Sequence, residues 1–224
     1  LAATVEGRES IENEMFKVAE NLDLDMKFFD WCRITRPHKI VYFSSSAAYP
    51  INLQSQINNT KLSEDMVDFD NFNIGVPDMT YGWAKLTGEF LAYLSRQKYN
   101  LDIKCFRPFS GYGKDQDLTY PYPSILKRVI QKELPLTIWS NSVRDFVHID
   151  DVISYVMKML YVPYTHTYNI GTGVATSFKD LAELMWKIVH NETLTDIKIL
   201  EDKPKGVTIE FLRLALQLIL EVLL

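Results

Sequence analysis

The sequence predicts an α/β fold of the doubly wound class, and three observations carry that expectation. Short β-branched and aromatic runs alternate with long stretches of apolar residues spaced three or four apart. Polar or glycine-rich loops follow directly after the strand-like runs. The composition, 47% hydrophobic and 24% charged over 224 residues, is that of a soluble globular chain long enough for one large domain or two small ones. Strands that alternate with helices build a parallel sheet covered on both faces, and such sheets collect ligands at the carboxyl ends of their strands.

The elements follow in order. Leu1-Ala-Ala3 runs at once into a polar stretch with no initiating Met, as a chain joined in mid-domain does. From Ile11 to Ile34 the apolar positions Phe16, Ala19, Leu22, Met26, Phe29 and Cys32 predict one long amphipathic helix, closed by Pro37. Lys39 to Ser44 reads as a buried strand that delivers Ser45, Ser46, Ala47, Ala48 and Tyr49 to its carboxyl end. Residues 51–78 lack a sustained period and form a long connection, a kind of segment that is often functional. Met79 to Tyr99 returns to helical spacing, and Leu101 to Arg107 alternates as a strand before Pro108 and the loop Ser110-Gly-Tyr-Gly113. Strands around Leu136–Trp139 and Val143–Val147, a helix from Ile149 to Tyr161 and a strand Thr167–Ile170 come next. Ser177, with Asp180 three residues on, resembles a capping box opening a helix to His190. From Thr208 to Leu224 the polar residues Glu210, Arg213, Gln217 and Glu221 fall three or four apart, which predicts an apolar-faced helix. There is no internal repeat and no low-complexity segment.

Charge and composition exclude several classes of function. A net charge of −5 and a pI near 5.4 argue against nucleic-acid binding, which needs a clustered excess of Lys and Arg. No apolar run reaches membrane-spanning length without charges, and the amino terminus lacks a signal-peptide layout, so a cytoplasmic protein with no membrane partner is expected. Cys32 and Cys105 stand far apart and outside metal-ligand spacing, so they read as core thiols in a reducing compartment, and no metal is expected.

The chemistry is concentrated in Tyr81-Gly-Trp-Ala-Lys85. Four residues apart on a helix, a phenol and an ammonium share one face. A free phenol titrates near ~10, and a fixed cation beside it pulls that value down, so Tyr81 is expected to move protons near neutral pH. A hydroxyl from Ser45 or Ser46 at the same spot would hold a substrate alcohol or carbonyl while Tyr81 exchanges the proton, an arrangement suited to alcohol–ketone interconversion. Such a pair alone also describes many solvated helix faces. Specificity comes from the ordered set: strand, Ser44-Ser-Ser46, long loop, Tyr81 and Lys85, Arg107-Pro-Phe-Ser-Gly-Tyr-Gly113, then Arg144-Asp-Phe-Val-His-Ile-Asp-Asp151.

That set resembles the extended short-chain dehydrogenases acting on nucleotide sugars, over residues 1 to about 207. The resemblance implies a partial Rossmann-like doubly wound parallel sheet, its first strands and glycine-rich loop lying upstream of Leu1, with a small C-terminal substrate-binding α/β region. It assigns 1–109 to the NAD-binding domain, with 143–171 returning to it, and 110–142 and 172–207 to the substrate region. Residues 208–224 depart from the family. The Ser-x-x-x-Tyr count back from Tyr49 makes Ser45 the catalytic hydroxyl, in a triad with Tyr81 and Lys85. Ala2, Ala3, Asn21, Ser44, Tyr81, Lys85 and Pro108 are implied at the cofactor, which is NAD, with NADP left open. Ser46, Ser110, Tyr112 and Arg144 are implied at a nucleoside-diphosphate sugar, Arg144 on the diphosphate, and Ser110 stands where many members carry Asn. Members that eliminate water carry acidic residues after the catalytic hydroxyl, where this chain has Ser46 and Ala47. Ala47 also replaces a cysteine that some members use. The resemblance therefore implies a 4-epimerase, working by hydride removal and return, ahead of a dehydratase or reductase. A non-catalytic sugar-nucleotide-binding module is the rival from another class, and a homodimer is the assembly considered.

Outside that set the plainer roles are expected. His148 reads as a structural hydrogen-bonding residue, and Asp150 and Asp151 as helix caps rather than a metal site. Tyr112 and the Tyr120-Pro-Tyr-Pro123 turn are the aromatics expected near a sugar or base, whereas Trp139 has a weaker claim.

Overall fold

The computed structural model of the chain describes residues 3, 7–54, 61–163, 167–200, 203 and 206–210. Its helices are α1 (Arg8–Asn13), α2 (Met15–Thr35), α3 (Met79–Tyr99), α4 (Pro121–Ile130), α5 (Ile149–Met159) and α6 (Phe178–His190). Its strands are β1 (Ile40–Phe43), β2 (Ile103–Pro108), β3 (Ser110–Tyr112), β4 (Leu136–Ile138), β5 (Val143–Arg144), β6 (Phe146–His148), β7 (Thr167–Ile170), β8 (Thr176–Ser177), β9 (Ile197–Ile199) and β10 (Ile209–Glu210).

The central sheet is β1-β2-β7, parallel throughout. Because side chains alternate across a strand, each face of this sheet needs its own cover. Ile40, Tyr42, Ile103 and Cys105 pack with Phe29, Cys32 and Ala92 of α2 and α3. Phe106, Tyr168 and Ile170 pack on the other face with Val152, Val156 and Met159 of α5, flanked by Val41 and Phe43. This two-sided cover explains why Ile103 to Arg107 is buried at every position although its sequence alternates. Both cysteines are free and buried in the α2–α3 layer. A separate core joins α4, α6 and β4 through Ile125, Val129, Leu136, Ile138, Leu181 and Trp186.

Three sequence expectations need correction. The single helix from Ile11 to Ile34 is two helices, because Glu14 leaves helical geometry at φ −120°, ψ 46°. The buried side of α2 is Val18, Asn21, Phe29 and Cys32, whereas Phe16 and Met26 of the expected stripe are exposed. At Thr208 the expected helix does not begin. Ile209–Glu210 is a strand beside Val143–Arg144, with the Val143 and Asp145 amides donating to the Thr208 and Glu210 carbonyls at 2.9 and 3.0 Å. The remainder of that expectation, residues 211–224, lies outside the described residues, as do Leu1 and Ala2.

Helix α3 spans Met79–Tyr99 and strand β7 spans Thr167–Ile170, as their sequences predict. Ser177 and Asp180 form a reciprocal capping box on α6. His148 caps α5 with Nδ1 accepting from the Asp150 amide at 3.3 Å, so Asp150 and Asp151 occupy its first turn rather than its cap. Among the described residues no helix is long and apolar enough to cross a membrane, and no cluster of His, Cys, Asp and Glu could hold a metal.

Candidate active site

A cleft of about 810 Å³ opens where the loops after β1 and β2 meet α1, α4, β5 and β10. Its wall includes Ser45, Ser46 and Ala47 from the turn after β1, Asp78 and Tyr81 from the start of α3, and Ser110 from β3. Arg144, Glu210 and the aromatics Tyr120, Tyr122 and Trp139 complete the far side. The cleft thus lies beyond the carboxyl ends of β1 and β2, where parallel sheets bind ligands.

The Ser45 hydroxyl caps the 46–48 turn, accepting from the Ala47 amide at 3.2 Å, and it shares the cleft wall with the Tyr81 phenol. Tyr81 and Lys85 share one face of α3, with Lys85 Nζ 5.8 Å from the Tyr81 ring centroid. Lys85 is buried and donates to the Phe43 carbonyl at 2.9 Å. An ammonium carries three N–H donors, so donors remain beyond the Phe43 bond at the end of β1. The electrostatics correct the sequence expectation. Burial pushes the Tyr81 phenol above its ordinary value, and the Ser45 hydroxyl draws it partly back, with no lowering from Lys85. Burial also pushes Lys85 below its ordinary value, opposed by the charges of Asp25 and Glu89. In this state Tyr81 stands as a protonated acid beside Ser45.

Arg144 leaves β5 into the cleft under the 206–210 segment. Its guanidinium donates to the Val207 carbonyl at 2.8 Å, meets Glu210 at 3.5 Å and lies 5.4 Å from the Phe178 ring centroid. Burial pushes it below the usual arginine value, opposed first by Glu210. Arg8 of α1 binds both Glu12 and Asp78, so each carboxylate that reaches the cleft from Asp78 and Glu210 is held by an arginine. None of Arg8, Asp78 and Glu210 is expected at the site from sequence, where Glu210 reads only as the polar side of a helix. Arg8 and Asp78 are 70 residues apart, and only the fold joins them.

The remaining sequence candidates divide by position. Ser46 and Ser110 line the cleft beside Ser45. Tyr112 instead stands behind it, stacked on Tyr122 at 4.3 Å, so Tyr122 is the aromatic that faces the cavity. Ser44 is buried one layer below and donates to Glu89, whose carboxylate takes two bonds from Arg107 at 2.7 and 2.5 Å. Asn21 is buried in α2, donating to the Val18 carbonyl at 2.9 Å. Pro108 ends β2 beside Ile170, and Ala3 is exposed. Ala2 lies outside the described residues. The first Asp of the Arg144 motif is structural: buried Asp145 accepts from Thr172 and Gly173 at 2.7 to 2.8 Å, tying β5 to the loop after β7.

Comparison with known proteins agrees with this architecture. Residues 1–171 match the model of the NAD dependent epimerase/dehydratase family. A protein of Bacillus subtilis (strain 168) described as an uncharacterized UDP-glucose epimerase, YtcB, is 28% identical over 171 residues, covering 75% of this chain and 50% of that protein. The UDP-N-acetylglucosamine 4-epimerase of Methanobrevibacter ruminantium M1, solved with UDP-N-acetylmuramic acid, superposes with a TM-score of 0.79 at 23% identity, over 96% of this chain and 66% of that one. The dTDP-glucose 4,6-dehydratase of Bacillus anthracis str. Ames, solved with NAD, superposes at 0.76 and 16% identity, over 95% and 62%. At these identities the two structures speak to the fold. The chain spans about half the length of the curated relatives it matches.

Proposed function

Because the chain belongs to the NAD dependent epimerase/dehydratase family, we propose that its cleft serves a nucleoside-diphosphate-sugar epimerase, a 4-epimerase that removes and returns hydride at one sugar carbon. The observation that carries this reading is the meeting of the Ser45 hydroxyl and the Tyr81 phenol in a cleft whose far wall presents Arg144. Tyr81 exchanges a proton with the reacting sugar hydroxyl, Ser45 holds that oxygen, and Arg144 binds the diphosphate as a planar, permanently charged fork. Tyr120, Tyr122 and Trp139 offer flat apolar walls for the sugar and the base.

The residues present fit NAD. Buried Lys85 donates to the Phe43 carbonyl at the end of β1 and keeps donors for ribose hydroxyls. When bound, NAD would supply the hydride acceptor and a positive charge; burial alone holds the Tyr81 phenol protonated. Epimerisation is favoured over elimination because no carboxylate follows Ser45, and those of Asp78 and Glu210 are engaged by Arg8 and Arg144. A homodimer in the cytoplasm is the setting we propose for it.

The test is Tyr81→Phe, which keeps the ring and its packing and removes its only titrating group. In the enzyme with its full cofactor site, turnover should fall on the order of 10²–10⁴ with sugar-nucleotide affinity nearly unchanged. Near-normal turnover would overturn the catalytic reading and favour a binding module.

A further inference from the structure

We propose that Asp25 is a positioning residue for Lys85, acting through the Tyr42 phenol that threads between α2 and α3. The proposal rests on the reading of Lys85 as part of the acid–base site. Tyr42 rises from β1 and is buried, and its hydroxyl donates to Asp25 Oδ2 at 2.6 Å. To reach that carboxylate it crosses α3 at Gly88, where an added Cβ would lie 1.9 Å from the hydroxyl oxygen and 2.3 Å from the ring carbon bearing it. Helix α3 is therefore notched for this phenol, less than one turn beyond Lys85. The Lys85 ammonium lies 5.4 Å from the centre of the Tyr42 ring and donates to the carbonyl of Phe43, the next residue of the same strand.

These contacts form a seat with a carboxylate behind it. A phenol that donates to a carboxylate gains electron density, which strengthens the hold of its ring on a cation. The groups facing Lys85 are Asp25 from α2, Tyr42 from β1, Tyr81 and Glu89 from α3, and, one step further, Cys105 and Arg107 from β2. Burial holds Tyr42 and Cys105 neutral. Glu89 is bound through both oxygens by Arg107, so its charge is largely answered there. Among the described residues no arginine or lysine pairs with Asp25, and its charge is the foremost attraction opposing the burial of Lys85; burial pushes Asp25 itself above the usual carboxylate range, against the Tyr42 hydrogen bond and the Lys85 charge. A purely structural tie between the helices would need only the hydrogen bond. A positioning role needs the charge.

The experiment separates the two. In the chain carrying ¹⁵N-labelled lysine, the ζ-nitrogen of Lys85, assigned with Lys85→Arg, is titrated by NMR in the parent, in Asp25→Asn and in Tyr42→Phe. Asn keeps the size and an acceptor for Tyr42 but removes the charge. Asp25→Asn is expected to lower the Lys85 midpoint by about one pH unit, and Asp25→Glu is expected to restore part of it. Tyr42→Phe should lower it by less. An unchanged midpoint in Asp25→Asn overturns the proposal. If Asp25→Asn does not fold, Tyr42→Phe decides by the same titration, and an unchanged Lys85 midpoint again overturns it. Because this measurement uses no turnover, a failed Tyr81→Phe test would remove the catalytic reading and still leave the seat decided on its own terms.

Discussion

Ser45 does two things at once: it holds the turn after β1 by accepting from Ala47, and it meets the Tyr81 phenol. Ser46 lines the same cleft but begins the turn. Ser45→Ala should therefore reduce turnover more than Ser46→Ala, and a parallel kinetic comparison of the two variants checks it. The reverse order would shift the catalytic hydroxyl by one residue. At this scale the sequence was informative where chemistry is local. Tyr81 and Lys85 stand out by helical spacing, and Ser45 is preferred over Ser46 only through the family resemblance, which counts back from Tyr49. Residues whose meaning depends on distant partners were silent. Asp25 looks like any solvated helical carboxylate until Tyr42 arrives from β1, and Glu210 looks like the polar side of a helix until β10 brings it to Arg144.

At the scale of elements, periodicity found α3 end to end because one side of it is buried along its length, and Asn100 stops it in the left-handed region. It misjudged α2, where buried Asn21 interrupts the apolar pattern and bulky Phe16 and Met26 face outward. It misjudged β10 more deeply, since a two-residue strand exists only by pairing with β5. That strand has a consequence for binding. It places a carboxylate on Arg144 where a diphosphate would bind, so Glu210→Gln should tighten nucleoside-diphosphate binding by up to about tenfold, or ~1.4 kcal/mol. Calorimetry with UDP, GDP and dTDP measures this. Weaker binding of all three would make Glu210 a support for Arg144 rather than its competitor. In α3, Gly88→Ala drives a methyl into the Tyr42 phenol and should cost about 1–3 kcal/mol, read as a lower urea midpoint.

Across the whole molecule, a seam of polar side chains runs through the central sheet. Ser44 and Arg107 bind Glu89, the Arg107 guanidinium lies 4.5 Å from the Tyr49 ring centre, and Tyr49 donates to Asn169 of β7 at 2.8 Å. The doubly wound class was legible because strands and helices alternate. The seam was not, because its members come from β2, α3, β7 and the segment after β1, and each alone resembles a surface residue. The seam and its surroundings make the fold sensitive to alkali. Burial is the first cause raising Tyr42, Tyr49, Tyr81 and Tyr155 above their ordinary values, Tyr49 to about 12. A tyrosine whose folded value exceeds the unfolded value of ~10 keeps its proton longer in the folded state. Its contribution is complete below that unfolded value and is lost as pH rises through the folded one. Lys85 acts with opposite sign, because the unfolded chain holds its proton longer, but it is one group against four. The urea midpoint should therefore fall steeply between about pH 10 and 12, with phenolate absorbance from these rings appearing only as the chain unfolds. A midpoint that stays level through this range, with the full tyrosine complement ionising in the folded chain, would show that solvent reaches the seam.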